Sequence, residues 1–225
     1  MNKIKLTLIL VIISCAAVHG QVRKYKVGVE VYTNSSQSIT TTDDFFTTDS
    51  IWSSVEGSKP SVSASINLSF NLTPKLNISA GVGIQNTGYS IRNNAVRFEN
   101  SLEPEGYVKL SYNYTYVDIP INLRYYFKES FYLNSGASAS FYVNNSVKEK
   151  TNIEGISSGM SRDQSANFRE INGSINLGLG YDFLKLKGTT LSVEPRAQIA
   201  VGDLVTGTVI NRRLWSFGIN LGAKF

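Results

Sequence analysis

The sequence contains a single cysteine, Cys15, and a single histidine, His19, and both precede residue 21. The rest of the chain lacks the thiol that disulfides need and the imidazole that most general-base and metal sites use. Serine–histidine–aspartate and cysteine–histidine hydrolases are therefore excluded for residues 21–225. These absences predict a protein that is not an enzyme and that uses no cofactor or metal.

Long hydrophobic runs are also missing, because no stretch approaches the roughly 20 apolar residues of a membrane-spanning helix. The short apolar run at residues 6–13 follows two lysines and leads into small residues before Gly20. A basic start, a short apolar core and a small-residue exit are typical of a secretory signal. We predict cleavage between Gly20 and Gln21, with a signal peptide at residues 1–20 and one domain at residues 21–225.

A second processing route stays open in the same segment. The stretch from Ile12 to Cys15 loosely resembles a lipoprotein box, in which the cysteine is lipidated and becomes the first residue of the mature chain. Strand-like alternation begins only at Tyr25, after the exit at Gly20. This spacing favours simple cleavage after Gly20.

Charge of neither sign dominates the sequence. The formal net charge is +5, and it falls by two when Lys3 and Lys5 leave with the signal. The remaining basic residues form no clustered stripe of the kind that a nucleic-acid footprint requires. We therefore expect no nucleic-acid partner.

Alternation with a period of two is the dominant pattern in the sequence. From Trp215 to Phe225 every second residue is apolar, and the residues between are small or polar. This period places the apolar side chains on one face of a β-strand. Similar stretches predict about eight strands, near residues 25–32, 62–70, 76–85, 117–127, 131–143, 171–183, 191–201 and 214–225.

The strand count and the connections predict an all-β fold, a transmembrane antiparallel up-and-down β-barrel. Short connections alternate with long polar ones, as periplasmic turns and extracellular loops do in outer-membrane barrels. The short ones lie near residues 71–75, 128–130 and 184–188, and the long ones near 34–60, 86–111 and 145–168. A soluble sandwich or lipocalin-like barrel is the alternative, but it would have to bury the apolar faces inside.

Aromatic residues are expected at the two borders of the lipid. Tyr125-Tyr126-Phe127 and Phe131-Tyr132 stand near predicted strand ends, where aromatic girdles form in membrane proteins. The apolar faces between these borders are predicted to contact outer-membrane lipid.

The stretch from Tyr116 to Phe127 carries a family resemblance. Its sequence, Tyr-Val-Asp-Ile-Pro-Ile-Asn-Leu-Arg-Tyr-Tyr-Phe, resembles the aromatic–apolar–acid–Ile–Pro strand of the PorT-like outer-membrane β-barrel family of Bacteroidetes-type bacteria. The final Phe225 is similar to the C-terminal signal that the barrel-assembly machinery recognises. The resemblance implies export through the inner membrane to the cell outer membrane. It also implies secretion-system or surface partners, with a role as a component or assembly factor of a secretion apparatus.

The polar faces point into a lumen that, with eight strands, is just wide enough for side chains to fill. Opposite charges in that narrow space should pair, because isolated ions there are costly. The inward residues predicted to form this polar network are Glu30, Asp118, Arg124, Asp182, Glu194 and Arg196. A structural plug of ion pairs is the simplest interpretation. A narrow ion path, or a catalytic carboxylate pair of Asp118 and Glu194, are the alternatives.

Two prolines fall within strand patterns. Pro120 falls on the lumen face and Pro195 on the lipid face. Because proline cannot donate a ladder hydrogen bond, we predict a local bulge at each.

Taken together, these features predict a monomeric, plugged outer-membrane barrel with loops exposed to the exterior and a structural or interaction role. A secretion factor and a narrow pore are the alternative functions.

Overall fold

The computed structural model describes residues 25–42, 55–96, 106–153, 156–162, 168–186, 188–205 and 210–225. Ten strands lie within these segments: β1 (Tyr25–Thr42), β2 (Glu56–Gly57), β3 (Lys59–Asn71), β4 (Leu76–Val96), β5 (Gly106–Tyr126), β6 (Phe131–Ile153), β7 (Ile156–Arg162), β8 (Ile171–Leu186), β9 (Thr189–Ala200) and β10 (Ile210–Lys224). The predicted signal peptide and its cleavage site at Gly20 and Gln21 lie outside the described residues, as does Cys15. Within the described segments, no helix is long and apolar enough to cross a membrane.

Eight of these strands close into a ring. Following the antiparallel pairs, the order is β1, β3, β4, β5, β6, β8, β9, β10 and back to β1. The short strands β2 and β7 pair with β4 and β6 and lie outside this ring. The ring is closed by fifteen residue pairs between β1 and β10, from Gly28↔Lys224 to Thr42↔Ile210. The predicted up-and-down barrel of about eight strands is confirmed.

The apolar face of the ring points outward. Valines of β1 and the aliphatic residues of β8, such as Leu177 and Leu179, are exposed. Serine, asparagine and charged side chains of the alternate positions are buried inside. A soluble barrel would place these two sets the other way round. The structure therefore excludes the soluble alternative, whose apolar side chains would have to fill the interior.

The short turns, Tyr25 at the start of β1 and Phe225 after β10 lie at one end of the barrel. In the β3–β4 turn the amides of Leu72 and Thr73 both donate to the carbonyl of Leu76. At the chain's end, the amide of Phe225 donates to the carbonyl of Val27 at 2.8 Å, so the last residue still belongs to the β1–β10 seam.

At the opposite end, much of what the sequence indicated as long loops is strand. β1 runs on to Thr42, β4 and β5 each have 21 residues, and β6 has 23. The predicted loop boundaries near residues 34–60, 86–111 and 145–168 are therefore wrong. Backbone pairing continues beyond the last exposed apolar residues of these strands, because ladder hydrogen bonds need no apolar side chain.

The bulges predicted at the two prolines are absent from the described pairings, and that prediction is wrong. The β4–β5 pairing pauses beside Pro120 and resumes in the same register. The β8–β9 pairing does the same beside Pro195. The pyrrolidine ring of each proline is compatible with extended backbone. Each proline lacks the N–H for one ladder hydrogen bond, and the neighbouring residue pairs maintain the register. Pro120 is buried and Pro195 exposed, as predicted. The register shifts lie elsewhere, at Ile91/Asn94, Thr115/Tyr116 and Asp182/Leu184.

Trp215 offers a direct test of the outward apolar face. Its side chain is 38% exposed on the outer surface of β10. In a Trp52→Phe variant, Trp215 is the only tryptophan. We expect its fluorescence to be strongly quenched when the protein is folded into vesicles of brominated phosphatidylcholine, relative to unbrominated vesicles. Equal emission in the two kinds of vesicle would contradict the assignment of this face to lipid.

Candidate functional site

Four charged side chains meet in the middle of the lumen. Glu30 on β1 forms an ion pair with Arg124 on β5 and accepts a second hydrogen bond from Arg196 on β9, at 3.1 Å. The Nε of Arg196 also donates to Glu194 at 2.7 Å. Strands β3 and β4 separate β1 from β5 in the ring, so the Glu30–Arg124 pair crosses the lumen. We call these four residues the ionic layer.

Every charge of the ionic layer is compensated within it. The side chains of Arg124 and Glu194 are fully buried, and the layer contains two cations and two anions. Removing a charge from water costs several kcal/mol unless a counter-ion and hydrogen bonds replace the solvent. Two amides supply further bonds, since Asn220 donates to Glu30 at 3.1 Å and Asn134 donates to Glu194 at 3.0 Å. The arrangement ties five strands together through their side chains.

Two tyrosines pack against the guanidinium groups of this layer. Arg124 lies over the ring of Tyr132 with 5.0 Å between its Cζ and the ring centroid, and Arg196 lies over Tyr32 at 5.7 Å. Cations over an aromatic face at such distances are attracted to it, and more strongly when water is excluded. The hydroxyl of Tyr32 also donates to the backbone carbonyl of Arg196 at 3.0 Å. Both rings therefore lie in the lumen at the level of the ionic layer.

Glycines on the inward face make room for the large side chains. Tyr132 on β6 pairs with Gly180 on β8, and a Cβ atom at Gly180 would lie only 2.0 Å from Cζ of the tyrosine. In the same way Asn122 and Asn176 form a 3.1 Å hydrogen bond across Gly136, the residue that stands between them. The inward glycines are thus required by packing and not by backbone conformation.

A polar chamber lies farther from the short turns than the ionic layer does. Asp118 is six residues before Arg124 on β5, and its Oδ1 accepts a 2.6 Å hydrogen bond from Ser140. The chamber has a volume of about 40 Å³ and is also lined by Gln85 and Gln198. A second cavity of about 30 Å³ follows along the axis. Each is large enough for a few water molecules.

An aromatic cluster lies in the lumen beyond these cavities. It consists of Tyr89, Tyr114, Tyr116, Leu204 and Leu214, which are buried, with Tyr112, Tyr142 and Phe168 packed against them. The rings of Tyr89 and Tyr112 are stacked at 4.7 Å, and those of Tyr142 and Phe168 at 5.3 Å. Rings packed in this way bury much of their apolar surface against one another.

A buried ion pair fastens the outer rim above this cluster. Glu56, on the short strand β2, is buried and accepts a 2.9 Å hydrogen bond from Arg212 of β10. Thr40 of β1 donates to the same carboxylate at 2.6 Å. Strand β2, which follows the connection from β1, is thereby held against β1 and β10.

The opposite end of the lumen is an open vestibule of about 660 Å³ beside the short turns. Asp182 and Lys224, both buried, line it, and Lys26 stands at its edge. The vestibule separates the ionic layer from the short turns.

The structure brings together four of the six predicted lumen residues, Glu30, Arg124, Glu194 and Arg196. Asp118 instead lines the polar chamber and Asp182 the vestibule. Asp118 and Glu194, the carboxylates considered as a catalytic alternative, hydrogen-bond to different residues. No group of three or more metal-ligating side chains occurs in the described part of the chain.

The aromatic assignments were partly wrong. Tyr125, Phe127 and Phe131 are exposed on the outer surface, as a girdle requires, but Tyr132 is fully buried in the lumen. The aromatic cluster was missed altogether. Its signal was nevertheless present, because Tyr112, Tyr114 and Tyr116 share the period-two face of Asp118.

The chain matches known proteins at the level of a family and a fold. Residues 23–205 match the sequence model of the outer membrane protein β-barrel domain family. A search of the curated proteins found no match.

A comparison with solved structures gives three of the matches as follows. The attachment invasion locus protein Ail of Yersinia pestis is 10% identical, with a TM-score of 0.40 and coverage of 88% of this chain and 99% of that chain. Neisserial surface protein A is 13% identical, with a TM-score of 0.40 and coverage of 88% and 97%. The outer membrane protease OmpT of Escherichia coli is 9% identical, with a TM-score of 0.42 and coverage of 91% and 99%.

The family match spans most of the chain, and the strands close into a ring with its apolar side outward and its charges inside. This protein therefore belongs to the outer membrane protein β-barrel domain family, and its place is the bacterial outer membrane.

Proposed function

We propose that this protein is a closed, monomeric barrel that does not conduct, and that its role is structural or interaction-based. The observation that supports the proposal is that two groups of buried side chains, the ionic layer and the aromatic cluster, lie in the lumen. The ionic layer crosses the barrel through the Glu30–Arg124 pair, and the aromatic cluster fills it farther along. Among the described residues, polar cavities of about 40 and 30 Å³ lie between them. We assign it no catalytic role.

The exposed strand ends are then the working surface. Outer-membrane barrels place short turns in the periplasm and long connections outside the cell. The short turns near Thr73, Ser130 and Gly188 therefore face the periplasm. The long ends of β4, β5 and β6 project outward. The terminal Phe225 is exposed, which supports its proposed role as the residue offered to the barrel-assembly machinery during insertion.

Conductance measurements test the closed lumen. We expect the purified protein, inserted into a planar bilayer, to show no discrete current steps, because buried ion pairs and packed rings leave no continuous water path. An open porin inserted under the same conditions serves as the positive control. Reproducible current steps from the folded protein would contradict the proposal and favour a narrow pore.

A secretion-linked role is the second candidate, and it rests on the resemblance of Tyr116 to Phe127 to the PorT-like strand. Deletion of the protein, followed by proteomics of the outer membrane and the secreted fraction, separates the two. Specific loss of secreted proteins supports the secretion role, and an unchanged secreted fraction contradicts it.

A further inference from the structure

We propose that three lysines on the outer surface of β5 and β6 bind the phosphate groups of the glycolipid in the outer leaflet. Lys109 of β5 pairs directly with Lys150 of β6, and Lys148 lies two residues before Lys150 on the same face. We call these residues the lysine face. This inference names a partner for the exposed strand ends and rests on their proposed extracellular placement.

The alternation of buried and exposed residues places the lysine face outside the barrel. On β5, Lys109 has the same parity as Val117, which belongs to the exposed apolar belt. On β6, the register shift opposite Thr115/Tyr116 changes the parity, so Val147 is buried while Lys148 and Lys150 are exposed. Paired residues of adjacent strands share a face, and the three ammonium groups therefore stand on one surface.

The described part of the protein supplies no ion pair that compensates the positive charge of this surface. Among the described residues, none of the three lysines has a side-chain hydrogen bond or an ion pair. Glu149 lies between Lys148 and Lys150 in sequence but on the opposite face. Like charges placed directly opposite each other in a sheet destabilise it. An anion bound from outside would remove that repulsion.

The position of the lysine face along the barrel axis indicates which anion lies nearby. On β6 the exposed apolar belt ends at Val143, five residues before Lys148. That interval is about 16 Å along a strand, or about 12 Å of height at a tilt of ~40°. Lysine side chains extend several ångströms and bend toward a membrane surface. The ammonium groups thus reach the phosphorylated sugars at the head of an outer-leaflet glycolipid.

Gly159 of β7 pairs with Lys150 on its other side. Glycine has no side chain that could cover the ammonium group from that strand. Ser111 stands opposite Lys148 on β5, and it is small. The surface is therefore accessible to a headgroup from the side.

Lipid selection in nanodiscs tests the proposal. The protein is placed in phosphatidylcholine bilayers that contain either bisphosphorylated lipid A or its dephosphorylated form. Lipids retained after mild delipidation are then quantified by mass spectrometry. We expect the wild type to retain the phosphorylated form at least about tenfold better than a Lys109→Gln/Lys148→Gln/Lys150→Gln variant, since each lysine near an anionic surface contributes appreciably. The preference should weaken at high salt.

A matched variant controls for the loss of charge. Lys75→Gln/Lys128→Gln/Lys185→Gln removes the same charge from exposed residues at the opposite end of the barrel. It should retain phosphorylated lipid A as the wild type does. Equal retention by the lysine-face variant would overturn the proposal. So would equal retention of both lipids by the wild type, a result that depends on no variant.

Labelling of intact cells separates this inference from the proposed orientation. Ser146 lies two residues before Lys148 on β6 and therefore on the same face of the strand. Residues 21–225 contain no cysteine. A Ser146→Cys variant should react with a membrane-impermeant maleimide from outside the cell. Absence of labelling would overturn the extracellular placement and the inference together. Labelling combined with unchanged lipid selection in the lysine-face variant would overturn the inference alone.

Discussion

Replacement of Glu30 by alanine is expected to lower the free energy of unfolding by about 3–5 kcal/mol. Within the described residues, Glu30 is the carboxylate that forms an ion pair with Arg124, whose side chain is fully buried. Its removal leaves the buried guanidinium of Arg124 without its direct ion-pair partner, and Glu194 is then the carboxylate that remains nearby. Arg196 is affected less, because it keeps its 2.7 Å bond to Glu194. Urea titration of the protein in lipid vesicles, followed by tryptophan fluorescence, measures the change.

The reciprocal substitution provides the control for this prediction. Arg124→Met should cost less, about 1–3 kcal/mol, because Glu30 keeps hydrogen bonds from Arg196 and Asn220. The double variant should be more stable than Glu30→Ala alone, since it removes the stranded cation. Glu129→Ala, in an exposed turn, should change stability by less than about 0.5 kcal/mol. A Glu30→Ala variant as stable as Arg124→Met would refute the compensation argument.

Replacement of Gly180 by alanine is expected to destabilise the barrel by about 3 kcal/mol through overpacking, although alanine ordinarily suits a strand no worse than glycine. A Cβ atom there would lie 2.0 Å from Cζ of Tyr132. The ring is fully buried and must move, which costs overpacking strain and the stacking of Arg124 on its face. Loss of heat-modifiable gel mobility at lower urea concentrations reports the effect.

Gly173 on the same strand is the matched control. A Cβ atom at Gly173 would meet its nearest neighbour at 3.9 Å, an ordinary van der Waals contact. Gly173→Ala should therefore be nearly neutral. In a Tyr132→Ala background, Gly180→Ala should lose most of its cost, because the clashing ring is absent. If Gly180→Ala were equally harmful with and without the ring, steric conflict with Tyr132 would not be its cause.

The polar faces of the strands were predictable because the pattern is local. Glu30, Arg124, Glu194 and Arg196 were assigned to the lumen from period two alone, and all four are buried there. The same signal marked Asp118, which lines a different cavity. Periodicity reports which face a residue occupies and says nothing about its height along the barrel axis. Height depends on strand tilt and on the register between neighbouring strands.

The upper half of the barrel was harder to predict. Polar alternation above the lipid, as in β6 beyond Val143, resembles loop composition although the backbone remains paired. Tyrosine is equally suited to a membrane border and to a packed interior, because its ring is apolar and its hydroxyl polar. Tyr125 and Tyr132 occupy these two environments in the same part of the chain. Residue type alone did not distinguish them, whereas the period of two places Tyr125 with Leu123 on the apolar face and Tyr132 with Asn134 on the polar face.

The amino-acid sequence by itself determined that this chain is made of strands, which side of each strand avoids water and about how many strands form the ring. These properties follow from side-chain alternation within a few residues. Only the tertiary structure decided that Glu30 meets Arg124 across the lumen, that Tyr132 rests on Gly180 and that Lys109 faces Lys150. The partners are far apart in sequence, and ring closure together with strand register brings them into contact.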